Sequence, residues 1–270
     1  MSIKWGEALG RGLRFGIKPK RWLPFFILDG IFMGILLYMV MLNMDTIGAA
    51  MTVLSADPLS VISLVNFAVM FVLLSAAWNL LKLWITGATI HHSKKEKEFC
   101  KSFRIAANKY PSLLGVAIVG AVLGSLATMV PVAGSIIAIL VGLALFFSMQ
   151  EVMIGKKGFW RAIKGSWDMF RKRPVRIFVM WLLVIIIGGL IVMLFFLPML
   201  ITALQIMMPY ITQAGEVTAM AAVVAYLMTN VYQLILLGVI GLIGSSISTV
   251  FIIKATTEYY MQSKKKFGIF

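Results

Sequence analysis

The chain is short of most of what equips a water-soluble enzyme. It has one cysteine, two histidines and ten carboxylates in 270 residues. A single cysteine, Cys100, excludes an internal disulfide, and its basic loop marks it as a bland thiol. Adjacent His91 and His92 would point about 100° apart on a helix. No cysteine or carboxylate cluster completes a metal site around them, so they read as a solvated pair. GxSxG, HExxH and P-loop signatures are all missing. Without converging acids, bases or ligands, an enzyme is the least favoured class, and no cofactor or metal is expected.

Charge is scarce as well. Only 13% of residues are charged and 61% are hydrophobic, with a mean hydropathy of +0.96. A soluble domain is nearer a quarter charged, and this chain could not cover its surface with polar groups in water. Apolar runs at 23–42, 61–81, 112–130, 132–150, 177–197 and 222–253 are each long enough to cross about 30 Å of hydrocarbon as helix. No run alternates in polarity over about ten residues, which excludes a transmembrane barrel. The expected class is an all-α polytopic membrane protein, residues 1–270 forming one integral membrane domain with six transmembrane helices.

Whole segments lack positive charge. Residues 43–60, 130–134 and 198–221 contain no lysine or arginine, only Asp45, Asp57 and Glu216. The net charge of +15 is instead gathered before the first span, between the second and third, between the fourth and fifth, and after the sixth. That distribution argues against nucleic acid and for the positive-inside rule, with both termini in the cytoplasm and a cell-membrane location. Residues 1–22 show no small-residue cleavage site and are expected to be retained.

What is present at the basic boundaries is amphipathic. Phe159, Trp160, Ile163, Trp167 and Phe170 recur at helical spacing, opposite Arg161, Lys164, Asp168, Arg171 and Lys172. Before the first span, Trp5, Ala8, Leu9 and Leu13 oppose Lys4, Glu7, Arg11, Arg14 and Lys18. Before the third, Phe99, Phe103, Ala106 and Tyr110 oppose Lys97, Lys101 and Arg104. Such helices lie in the interface, with rings among acyl chains and cations near anionic headgroups. Trp5, Phe103, Trp160, Trp167 and Phe170 are thus the expected lipid-facing rings. Arg11, Arg14, Lys101, Arg104, Arg161, Lys164 and Arg171 are the expected headgroup contacts. Each stretch ends in a proline step, at Pro19, Pro111 and Pro174, a natural joint to a spanning helix. Three units follow, 1–92, 93–152 and 153–270, unless the linkers are simply what any helical hairpin needs.

Ionisable groups are missing from the midplane, where every span offers small residues instead. Gly188, Gly189, Gly241, Gly244 and Ser245 serve either close helix packing or a narrow path. Off centre, Asp29 and Lys82 lie at similar depth, with Asn79 nearby. They form an intramembrane pair, or else Lys82 snorkels to the headgroups. The charge-poor, apolar stretch 198–222 either extends its helices, lies on the outer leaflet or re-enters, and favours a homo-oligomeric contact.

The segment Ala162-Ile163-Lys164-Gly165-Ser166-Trp167, followed by Arg173-Pro174 and a long apolar run, resembles the glycerophosphoryl diester phosphodiesterase membrane domain and related six-span prokaryotic proteins of unknown function. The resemblance implies an all-helical membrane domain and supplies no activity, since hydrolysis in such enzymes belongs to a separate soluble domain. The expected function is non-enzymatic lipid interaction or membrane organisation, the alternative a channel or passive transporter for a small solute.

Overall fold

The computed structural model describes residues 5–43, 58–131, 133–213 and 231–267. Among them the chain is all-helical, with no strand. The elements are α1 (Trp5–Gly16), α2 (Pro19–Leu42), α3 (Pro58–Lys94), α4 (Phe99–Thr128), α5 (Gly134–Leu145), α6 (Ser148–Met153), α7 (Phe159–Lys172), α8 (Pro174–Gln213) and α9 (Val231–Phe267). Six stretches are long and apolar enough to cross a membrane: Pro19–Leu42, Val65–Lys94, Phe99–Thr128, Gly134–Met153, Pro174–Thr202 and Ile235–Lys265. The protein is thus of the multi-pass membrane class.

Two of the three proline joints are real breaks. Pro19 opens α2 and Pro174 opens α8, as suits a residue with fixed φ and no N–H to leave unpaired in a first turn. Pro111 is different: it lies inside α4, so the amphipathic stretch from Phe99 runs into its span without interruption. Proline is tolerated within membrane helices, and Pro24 lies inside α2 likewise.

A break falls where none is expected. The fourth span divides into α5 and α6 at Phe146 and Phe147. The hydroxyl of Ser166, on α7, receives the Phe147 N–H at 3.1 Å and donates to the Ala144 carbonyl at 2.7 Å. A side chain inserted into the helical ladder in this way is a recognised cause of a kink.

Helices also outrun their apolar sequence. The fifth span continues as helix to Gln213, so the described part of 198–222 extends α8, while 214–222 lie outside the described residues. The sixth continues from residue 253 to Phe267 and carries charged residues into the packed end. Burial concentrates at that basic end. One cluster gathers Phe15, Phe25, Ile90, Leu113, Val152 and Ile253 among others, and a second gathers Phe147, Met180, Phe251, Tyr259 and Tyr260. Toward the opposite end the spans expose Ile31, Leu42, Val72, Leu126, Ile136 and Leu194. The helices are therefore bound together mainly at one end.

Each amphipathic segment packs on a helix returning to the basic end. The start of α4 lies on α3, where Trp84 Nε1 donates to the Phe103 carbonyl at 3.1 Å and Tyr110 donates to the Leu80 carbonyl at 3.1 Å. α7 lies on α5 and α6, and α1 lies on α9, so the first and last described helices close on each other. The contacts are made by small residues four apart: Ala8 and Gly12, Ser102 and Ala106, Ala162 and Ser166, all buried. Small side chains let backbones approach closely, whereas the neighbouring rings would hold them apart.

Candidate functional site

Among the described residues, three groups of charged side chains join separate helices toward the basic end. The largest spans α1, α2, α9 and the connection after α3. Arg21, in the first turn of α2, meets Glu96 at 2.7 Å, and Lys254 meets the other oxygen of Glu96 at 3.3 Å. Lys254 also meets Glu258 at 2.8 Å and donates to the Ser93 carbonyl. Arg11 reaches Glu258 at 3.3 Å and bonds Glu7 one turn back. The Phe15 ring carries the Arg21 guanidinium at 3.7 Å and the Lys254 ammonium at 5.0 Å. A planar guanidinium stacked on a ring and bonded to a carboxylate is held in one orientation.

Glu96 belongs to the connection outside the spans. Partial burial pushes its carboxyl upward, but the cations of Arg21 and Lys254 outweigh this and hold it below its ordinary value. Beside this network lies a cleft of about 330 Å³, lined by Arg11, Arg14, Phe15, Lys18, Arg21, Glu96, Lys254 and Glu258.

The second group centres on Glu151, whose side chain is 1% exposed. Lys264 approaches it at 2.9 Å and Lys157 at 3.1 Å. A buried carboxylate needs such compensation. Gly155 and Gly165 make room for it: a Cβ at Gly155 would meet Glu151 Oε2 at 2.6 Å, and one at Gly165 would meet its Cδ at 3.1 Å. Sequence reasoning missed this group because Glu151 falls just beyond the fourth apolar run and Lys264 well beyond the sixth, with nothing in the sequence to bring them together. The available signal was the helical continuity of 254–264.

The third group is the expected intramembrane pair. Lys82 Nζ lies 3.1 Å and 3.2 Å from the two oxygens of Asp29. The remaining partner is Trp78, whose Nε1 donates to Asp29 at 2.8 Å and whose ring stacks on Phe32. Asn79 is not part of it: its amide donates to the Ser75 carbonyl one turn back at 2.8 Å. Residues 78 and 79 face different sides of the helix, and the indole reaches farther than the amide.

The expected lipid-facing rings divide. Trp160 and Trp167 are 68% and 50% exposed. Trp5, Phe103 and Phe170 are half-buried against the two cores, because the small residues beside them draw their segments onto the neighbouring helices. Of the expected headgroup cations, Arg14, Arg104, Arg161, Lys164 and Arg171 are exposed. Lys101 is exposed and pairs with Glu98 at 3.6 Å, while Arg11 is committed to Glu7 and Glu258.

His91 and His92 are buried rather than solvated, since α3 stays helical through Lys94 and carries them into the core. His91 Nδ1 lies 2.9 Å from Ser102 Oγ, and the His92 ring sits between Phe15 and Phe99. Among the described residues no group of three or more His, Cys, Asp or Glu residues is placed to hold a metal. Cys100 is exposed.

The midplane glycines mostly serve packing. A Cβ at Gly241 would meet the Phe196 ring at 2.7 Å, one at Gly244 would meet Phe195 at 2.3 Å, and one at Gly188 would meet Ser248 Oγ at 3.0 Å. Ser248 donates to the Gly188 carbonyl at 2.9 Å. Gly189 faces open space, and Ser245 bonds the Leu242 carbonyl within its own helix. A second cavity, of about 420 Å³, lies between α3, α4, the α5–α6 break and α9, lined by Thr86, Gly120, Phe146, Met149, Gln150 and Thr256 among others. Gln150 Nε2 donates to Thr256 there at 3.2 Å. No family model, curated protein or solved structure matches the chain.

Proposed function

We propose that this is a non-enzymatic integral membrane protein that gathers anionic lipid headgroups around its basic end and so organises the surrounding leaflet. The observation that carries the reading is the arrangement of the amphipathic segments. Small residues lock them inward, leaving Arg14, Arg104, Arg161, Lys164 and Arg171 outward beside exposed Trp160 and Trp167. Cations near an anionic surface are worth roughly 1 kcal/mol each. Glu7, Asp29, Glu96, Glu98, Glu151 and Glu258 are each engaged in ion pairs, which supports a structural use for them.

The positive-inside distribution supports a cytoplasmic basic end and a cell-membrane location. The part of α8 beyond its span, where Leu204 is exposed, supports self-association. A passive path for a small solute is the second reading, favoured by the cavity at Gln150 and Thr256.

The test is tryptophan quenching in proteoliposomes containing brominated lipid. Brominated phosphatidylglycerol should quench Trp160 and Trp167 more than brominated phosphatidylcholine at equal bilayer fraction, with no leak of entrapped solute. The Trp160→Phe/Trp167→Phe variant isolates their signal. Equal quenching by both lipids would overturn the lipid reading, and solute leak would favour the path.

A further inference from the structure

We propose that the cleft between the end of α1, the start of α2 and α9 binds one phosphate group. The inference draws on the lipid reading for the source of the phosphate, not for the phosphate itself. Five cations line the cleft (Arg11, Arg14, Lys18, Arg21 and Lys254) against two carboxylates, Glu96 and Glu258. The carboxylates are already shared: Glu96 between Arg21 and Lys254, Glu258 between Lys254 and Arg11. Their role is to hold the buried cations in place, the Arg21 and Lys254 side chains being only 9% and 5% exposed.

Arg14 and Lys18 are the surplus. Both are exposed, and among the described residues neither has a carboxylate within ion-pair distance. Both line the cleft, Arg14 from the last turn of α1 and Lys18 from the joint before α2, and a guanidinium and an ammonium together suit a tetrahedral oxyanion. Lys18 caps α2 with no side-chain hydrogen bond to the first turn, so the positive end of that helix adds to the field.

The surroundings suit a phosphate that carries a chain. Ile17 and Leu23, close in sequence to the lining residues Lys18 and Arg21, are 64% and 43% exposed, and Pro19 begins a span there. A headgroup phosphate in the cleft would lay its acyl chains along α2. A soluble phosphate monoester would use the same cations without that apolar flank.

The test is native mass spectrometry of the detergent-solubilised full chain with three probes: short-chain phosphatidylglycerol, short-chain phosphatidylcholine and glycerol 3-phosphate. Three proteins are compared: the wild type, Arg14→Gln/Lys18→Gln, and Lys94→Gln/Lys156→Gln, which removes two exposed cations outside the cleft. Losing two cations from the site should weaken the first anionic binding event about thirtyfold, and the Lys94/Lys156 substitutions should leave it unchanged. Binding of phosphatidylglycerol alone assigns the cleft to a lipid headgroup, and equal binding of glycerol 3-phosphate assigns it to a soluble monoester. Equal weakening by both variants would reduce the effect to general surface charge and overturn the cleft, leaving the broader lipid reading in place. Retention of phosphatidylcholine as tightly as phosphatidylglycerol, or no wild-type binding of either anion, would also overturn it.

Discussion

Ser166 stands in for Leu143 as the partner of the Phe147 N–H, bonding it at 3.1 Å while donating to Ala144 at 2.7 Å. One hydroxyl thereby sets the break between α5 and α6 and fastens α7 to it. Ser166→Ala leaves a buried N–H unpaired and should cost about 2 kcal/mol. Thermal unfolding in detergent checks this, and an unchanged midpoint would show that the helix has closed over the gap.

Two glycines of α1 should respond oppositely. A Cβ at Gly10 meets nothing within 4 Å, whereas one at Gly12 would stand 3.0 Å from Ala255 and from the Phe251 ring. Gly10→Ala should stabilise by up to about 1 kcal/mol through helix propensity. Gly12→Ala should push α1 off α9, costing roughly 1–3 kcal/mol through overpacking. Equal effects of the two substitutions would contradict the docking of α1 on α9.

Asp29 and Lys82 should prove non-additive. Lys82→Met alone strands a carboxylate that is only 9% exposed, leaving Trp78 as its remaining donor. The double variant Asp29→Asn/Lys82→Met should lose less stability than the sum of the singles, by about 1–2 kcal/mol. Additive losses would mean that the 3.1 Å contact contributes nothing.

Glu96 gives a pH signature. Its carboxyl is held below its ordinary value of 4.5 by Arg21 and Lys254, against the opposing push of burial. The stabilisation is fully present above that ordinary value and fades as pH falls through the lower, folded-state value. At neutral pH, Glu96→Gln should lower stability, by less than about 1 kcal/mol because nearly half of the side chain meets solvent. The gap between wild type and variant should close in acid. A gap that persists or widens would contradict the bridge.

The sequence was most legible where lipid was the solvent. Six apolar runs lead to six helices because a spanning segment must satisfy its backbone internally, whatever its neighbours do. The Asp29–Lys82 contact was legible for a related reason, two charges at one depth in hydrocarbon having few other partners. The packed basic end was harder to read. Lys254 and Lys264 belong to the positive charge after the sixth apolar run, yet α9 continues through them and each is buried against a distant carboxylate. Aromatic periodicity marked the ringed face of α7 as lipid-facing, but which face packs was set by Ala162 and Ser166, since close approach depends on small residues. Pro111 looked like a joint, but nothing local distinguishes it from Pro19 and Pro174, and only the surrounding packing keeps α4 continuous.

Exposed Lys20, Lys94 and Lys172 mark the basic end on three different helices. With Cys100 replaced by serine, a single cysteine at each of these positions can be tested in intact cells with a membrane-impermeant thiol reagent. All three should stay unlabelled from outside and react once the membrane is permeabilised. Labelling from outside at any of them would put the cationic surface on the wrong leaflet and contradict the proposed role.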